Sequence, residues 1–289
     1  MVDILVFSKD RAFQLHLFLD TLFKRVENID RVFVQFGYSD EEYLNGYKKI
    51  SRKFGNKVQF IDEQKFGFFN TLSTIVNYEL KSDYLMIETD DSLFINDLDL
   101  KSCHKILEDN PEVGRYNYQL DYKLFHKNYD LKNFKDYFLV DRKSYSDKNN
   151  SEIALGYSFN VGGAISRTSD LKDLLTYNIV SHPIDLEIKG NDYESYRSYC
   201  YSILNKKESS TMIHLNNVLD RYEESFSTKH LNDLLIGGEV IDTDSIDFNS
   251  FERDLRWFLG ENIGRFPIFP WEIPPTYHKQ ILKNRIKLL

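Results

Sequence analysis

The sequence predicts an α/β fold: a mostly parallel sheet flanked by helices. Two observations carry that expectation. Short apolar runs alternate with helix-period stretches through the first 90 residues, the pattern of a doubly wound sheet. Tyr84-Leu-Met-Ile87 is also an unbroken apolar run, as expected for a strand buried on both faces, and it leads directly into Glu88-Thr-Asp-Asp91.

The elements can be justified in order. Ile4-Leu-Val-Phe7 reads as a buried strand closed by Ser8-Lys-Asp-Arg11. Phe13, Leu15, Leu17, Phe18, Leu22 and Phe23 then keep helical spacing. Arg31 to Phe36 is a second strand, after which Ser39 with Glu42 forms a capping box for a helix running to about Phe54. Val58 to Ile61 is a third strand ending in Asp62, Phe66 to Tyr78 read as helix, and Tyr84 opens the fourth strand, broken by Ser92. A helix near Leu100–Glu108 and another over Ser169–Leu175 continue the alternation, and Leu231 to Gly238 ends on a C-cap glycine.

Composition narrows the functional classes. The 289 residues are 42% hydrophobic and 28% charged, which suits a globular chain with a substantial core. A net charge of -8 argues against a general nucleic-acid binder, which needs a basic face. Cys103 and Cys200 match no metal spacing and build no disulfide framework, so a cytoplasmic setting is expected. No signal peptide and no membrane-length apolar run is visible.

Glu88, Asp90 and Asp91 crowd one strand end, where their mutual repulsion would become binding energy on a hard divalent cation. Ligands of open α/β sheets sit at this end of the strands. Ser8, Asp10 and Arg11 close the first strand and Asp62 the third, so all four can face the same crevice as a nucleotide-binding set. The familiar phosphate cradles G-x-x-x-x-G-K and G-x-G-x-x-G are absent, and a cation bridging carboxylate and phosphates is the alternative.

The succession Phe7-Ser-Lys-Asp-Arg11, Lys65 to Asn77 and Tyr84 to Asp91 resembles the nucleotide half of GT-A glycosyltransferases, particularly the family-2-like ones. That resemblance implies a Rossmann-like GT-A sheet. Residues 1–100 would hold a nucleotide-diphosphate sugar, residues 101–262 would form the acceptor-side half, and 263–289 a C-terminal extension. In this family a D-x-D or E-x-D-D stretch holds Mn2+ or Mg2+. The direct ligand role falls by position on Asp91, with Asp90 toward the ribose or the metal, and a downstream histidine, here His214, can join the shell. Gly162 and Gly163 fall where a Gly-rich segment lies under the donor sugar. Inverting members carry an acidic base after that segment, which brings in Asp185 and Glu187. Glu187 is preferred as the residue opening the next helix, although either acid can equally be a helix-start carboxylate facing the dipole.

The expected function is therefore metal-dependent transfer of a sugar to a hydroxyl of a glycan or glycolipid, with inversion. A sugar nucleotidyltransferase and a non-catalytic binding protein of the same fold are the alternatives. The basic amphipathic end, Tyr277 to Leu289, can rest on anionic lipid at the inner face of a membrane, although packing on its own domain is commoner.

Overall fold

The computed structural model describes residues 1–119, 131–142, 158–212 and 227–243. The chain begins with β1 (Val2–Lys9), α1 (Ala12–Arg25), β2 (Val26–Glu27), β3 (Ile29–Gly37), α2 (Glu41–Phe54) and β4 (Val58–Asp62). Next come α3 (Gly67–Thr74), a π-helical turn over Ile75–Glu79, β5 (Tyr84–Thr89), β6 (Ser92–Phe94), β7 (Leu98–Asp99), α4 (Leu100–Asp109) and β8 (Val113–Asn117). The remaining elements are β9 (Leu131–Asn133), β10 (Tyr137–Asp141), β11 (Ala164–Arg167), α5 (Thr168–Tyr177), α6 (Pro183–Asp192), α7 (Glu194–Ser198), β12 (Tyr201–Asn205), β13 (Ser210–Met212) and α8 (Thr228–Gly237).

Nine strands form one sheet in the order β4-β3-β1-β5-β11-β8-β12-β10-β9. The first four are mutually parallel, in register from Phe36 opposite Asp62 to Phe7 opposite Thr89. Beyond them β11 runs antiparallel to both β5 and β8, β12 returns parallel to β8, and β10 and β9 are antiparallel again. The sheet is thus helix-flanked as expected but evenly mixed rather than mostly parallel. Its first half obeys the crossover logic of strand-helix repeats, whereas the second half does not.

Alternation along the parallel strands builds two cores. Ile4, Val6, Val32, Val34 and Met86 face Leu15, Phe18 and Leu22 of α1, Tyr47 and Ile50 of α2, Leu107 of α4, and Leu231 and Leu235 of α8. Leu5, Phe7, Phe33, Leu85 and Ile87 face Leu72 of α3, Leu171 and Leu174 of α5, Leu186 of α6 and Tyr196 of α7. Burying one such aliphatic side chain contributes about 1.5–3 kcal/mol, so each strand is held from both faces. Helix α2 lies against α8, with Asn232 Nδ2 donating to the Glu42 carbonyl at 2.9 Å and Tyr43 and Thr228 hydroxyls 2.8 Å apart.

Three local expectations are corrected. Helix α2 is capped by Asp40, which accepts from the amides of Glu42 and Tyr43, while Ser39 is drawn into a different contact. Ser92 does not end strand structure: after a tight turn at Asp90 and Asp91 it opens β6, which pairs with β13. The stretch predicted as one helix from Phe66 begins at Gly67 and closes in the π-helical turn. Among the described residues no helix is long and apolar enough to cross a membrane.

Candidate active site

Because β1, β3, β4 and β5 are parallel and in register, their carboxyl ends share one edge. The chain order runs outward from β1 through β3 to β4, then restarts on the other side with β5. The gap between the β1 and β5 ends is therefore the topological switch point, where an open sheet leaves its ligand crevice. Arg11 and the Asp90–Asp91 pair meet there. A single guanidinium nitrogen, Arg11 Nη1, donates to Asp90 Oδ1 at 3.0 Å and to Asp91 Oδ2 at 3.1 Å.

Asp90 is held by a chain of donors. The Arg11 amide donates to the Tyr47 hydroxyl at 3.2 Å, Tyr47 lies 2.7 Å from Ser8 Oγ, and Ser8 donates to Asp90 Oδ2 at 2.7 Å. Since the one hydroxyl proton of Ser8 goes to Asp90, Tyr47 must be the donor to Ser8. Burial pushes the Asp90 carboxyl up to about 6, against the opposing pull of Arg11. Burial also pulls the Arg11 guanidinium down, but the two carboxylates more than offset it, and its pKa is raised.

The other strand-end residues divide by role. Asp10 is buried with φ of 56°, a left-handed conformation that aspartate tolerates better than most residues. Both its oxygens accept from Ser39, the amide at 2.7 Å and the hydroxyl at 2.6 Å. It ties two turns together rather than presenting a free carboxylate. Asp62 is exposed and accepts from the Gln64 amide at 2.8 Å and the Tyr38 hydroxyl at 3.2 Å.

Glu88 departs most from its expected company. It is fully buried, accepting from the hydroxyls of Ser92 and Tyr118 and from the Gly163 amide at 3.2 Å. Burial raises its pKa despite these three donors. It therefore clamps the Gly-rich turn to the end of β5, while the nearby charge of Asp91 adds to the upward shift. Gly162 and Gly163 adopt φ of 111° and 72°, and a Cβ on Gly163 would lie 2.6 Å from the Gln119 Cβ, so only glycine fits.

Helix α6 closes the site from the other side. Glu187 does not open this helix but lies in its middle, half-buried, with Oε2 3.4 Å from the Val161 amide. Burial raises its pKa, opposed by that amide and by the positive charge of Arg115. Asp185 is the helix-start carboxylate. It accepts from the Ser181 amide at 2.8 Å, and its own amide donates to His182 Nδ1 at 3.1 Å. The Ser181 amide leads the causes that hold its pKa low. Asn191 of α6 accepts from the amides of Ser158 and Phe159 at 2.6 and 3.2 Å, so the Gly-rich segment hangs on this helix. Sequence reasoning missed Tyr47, Tyr118 and Asn191, none of which forms a local motif. His214 and the C-terminal extension lie outside the described residues. A separate cleft of about 490 Å³ opens at the opposite edge of β3 and β4 and is lined by none of the candidate residues.

Bifunctional glycosyltransferase pgtA from Dictyostelium discoideum is 26% identical to this chain across 88% of its residues. This chain is a relative of a glycosyltransferase. It spans 38% of the length of that relative. The resemblance read from the strand-end motifs thus agrees with a glycosyltransferase relative. No family model matches the chain. Among solved structures, TarS from S. aureus in complex with UDP-GlcNAc overlays with a TM-score of 0.49 at 12% identity, covering 91% of this chain and 76% of TarS. The mannosyltransferase PcManGT from Pyrobaculum calidifontis, in complex with GDP-Man and Mn2+, gives 0.37 at 14% identity, covering 60% of this chain and 46% of PcManGT.

The strand-end carboxylates of this glycosyltransferase relative fit a hard divalent cation. Asp90 and Asp91 offer oxygen donors, and the single positive charge of Arg11 leaves the trio net negative. Among the described residues no group of three acidic, histidine or cysteine side chains could hold an ion unaided. Mg2+ and Mn2+ are often held by one or two carboxylates together with ligand phosphates.

Proposed function

We propose that the chain is an inverting glycosyltransferase that moves a sugar from a nucleotide-diphosphate donor to a hydroxyl of a glycan or glycolipid. One observation carries this reading. The Glu187 carboxylate and the Asp90–Asp91 pair are linked through one short path, from Val161 along the glycine turn to Glu88 and so to the end of β5. A base and a diphosphate site therefore flank the same turn.

In this reading Arg11 and the amino end of α1, which has neither a side-chain cap nor an acidic first turn, receive the diphosphate. Tyr47 and Ser8 fix the orientation of Asp90, and Asp62 with Tyr38 faces the nucleoside. Gly162 and Gly163 let the backbone approach the sugar, while Glu187 takes the proton of the acceptor hydroxyl. The acceptor oxygen then bonds to the anomeric carbon as the bond to the diphosphate oxygen breaks, which inverts that carbon. Asp91 and Asp90 would hold a Mn2+ or Mg2+ ion, whose chemistry is to neutralise charge on the departing diphosphate. Burial makes Glu187 a stronger base than an exposed glutamate, as its role requires.

The test is a transfer assay with UDP-GlcNAc, GDP-Man and related donors, with Mn2+ or with EDTA, beside thermal unfolding with UDP or GDP. Transfer from one donor that EDTA abolishes is the expected result. Stabilisation by a nucleotide without transfer or hydrolysis of any donor would leave a binding protein instead.

A further inference from the structure

The Arg11 fork is an odd neighbour for a cation site. The guanidinium holds the same two carboxylates that an ion would need, at 3.0 and 3.1 Å, through one nitrogen. Its Nε is buried and has no hydrogen-bond partner among the described residues. The guanidinium is thus strongly paired on one side and unsatisfied on another, and a buried N–H without a partner is costly.

From this we infer that Arg11 enforces joint loading: it occupies Asp90 and Asp91 until a diphosphate offers it a better acceptor, so the divalent cation binds tightly only together with the nucleotide. This rests on the transferase reading above. A guanidinium and a divalent ion compete for the same carboxylate oxygens and repel each other there. A diphosphate removes the conflict, because its oxygens match the guanidinium fork and can take up the unsatisfied Nε–H. Tyr47 and Ser8 keep Asp90 in place while the guanidinium turns, since they hold its other oxygen. The device would keep the site from filling with a bare cation. By linkage, the factor by which nucleotide tightens the cation equals the factor by which the cation tightens nucleotide.

Calorimetric titration of the full chain with Mn2+ alone, then with Mn2+ in saturating UDP or GDP, tests the inference. The wild type should bind Mn2+ weakly alone and at least about tenfold more tightly with one nucleotide, within the usual range of coupling factors. Arg11→Met removes the competing charge, and should bind Mn2+ alone about tenfold more tightly while the coupling falls to about twofold or less. Arg11→Lys keeps the charge but has neither the Nε–H nor the planar guanidinium that would turn onto a diphosphate, and should fall between the two. Thermal unfolding reports whether each variant is folded, and the lysine variant decides the matter if the methionine variant is not. Unchanged Mn2+ affinity in the folded variants, with coupling intact, overturns the role of Arg11 and leaves the transferase reading standing. A wild type that binds no Mn2+ even with UDP or GDP overturns the inference together with the metal part of that reading.

Discussion

The parallel strands β4, β3, β1 and β5 and the mixed strands beyond them deliver side chains to one edge by different physics. In the first half the residues arrive by register: parallel strands in step end together, so Ser8, Asp62 and Asp90 share an edge before any side chain is placed. Charge then fixes them, through the Arg11 fork and the Tyr47–Ser8 chain. In the second half the residues arrive by close packing: two left-handed glycines, a buried carboxylate and an asparagine hang the turn between β5 and α6. The first arrangement is held in place by charge, and the second by shape.

That contrast can be broken at four points. The largest effect is expected at Glu187. Glu187→Gln keeps the shape of the second half and removes only the proposed base, so kcat should fall by about 10²–10⁴ while donor binding is retained. In the wild type the acid limb of the pH profile reports protonation of this group. Because burial raises its pKa, the limb should lie above the roughly 4.3 of an ordinary glutamate. Activity is lost as the pH falls through that limb, and Glu187→Gln should flatten it.

Asp91→Asn comes next. It changes a charge in the half governed by charge, and kcat should drop about 10²–10³-fold, the scale of losing one electrostatic contact to the departing group. The thermal midpoint should scarcely move, because Asp90 and Arg11 still form a neutral pair. A variant with full activity would remove the strand-end carboxylates from the chemistry.

Gly163→Ala changes shape alone. The φ of 72° and the 2.6 Å approach to Gln119 together predict a loss of about 2–4 kcal/mol in a denaturant titration, combining left-handed strain with overpacking. A loss near zero would show that the turn relaxes freely.

The smallest effect belongs to Asp185→Asn, which should leave kcat within about twofold and cost roughly 0.3–1 kcal/mol as a helix-start carboxylate. Its pKa is lowered, chiefly by the Ser181 amide. That stabilisation is therefore complete above the unfolded pKa and is lost as the pH falls through the folded one. A larger effect on kcat than that of Glu187→Gln would reverse the assignment of the base.

Legibility in the sequence follows the same division. Strand-helix repeats, apolar runs and the acidic strand end are local patterns, so the first half and Arg11, Asp90 and Asp91 could be read directly. The partner of Asp10 was not legible, because a strand-end aspartate looks the same whether it stands alone or, as here, accepts from Ser39. The donors of Glu88 were hidden likewise, since membership of a carboxylate cluster does not reveal which distant groups a residue accepts from. Antiparallel insertion of β11 beside β5 pairs residues some 80 positions apart, and no periodicity announces such a contact. Asn191 and Tyr118 matter only because of that pairing. Choosing between Asp185 and Glu187 needed the start of α6, fixed by Pro183 and the His182 cap, to within two residues.

The packing of α8 on α2 has a consequence for how the chain can be cut. Tyr47, which steadies Asp90 through Ser8, belongs to α2, and the outer side of α2 is covered by Thr228, Leu231, Asn232 and Leu235. A Cβ on Gly46 would lie 2.9 Å from the Ala12 Cβ, so α2 sits hard against α1 with no slack to settle elsewhere. Residues beyond 227 thus finish the scaffold of the proposed nucleotide pocket, whose own side chains all lie before residue 92. A fragment ending near residue 100 keeps every group expected to touch the nucleotide and loses the helix that holds them square. A piece of the chain that keeps α8 on α2 runs at least to Gly238.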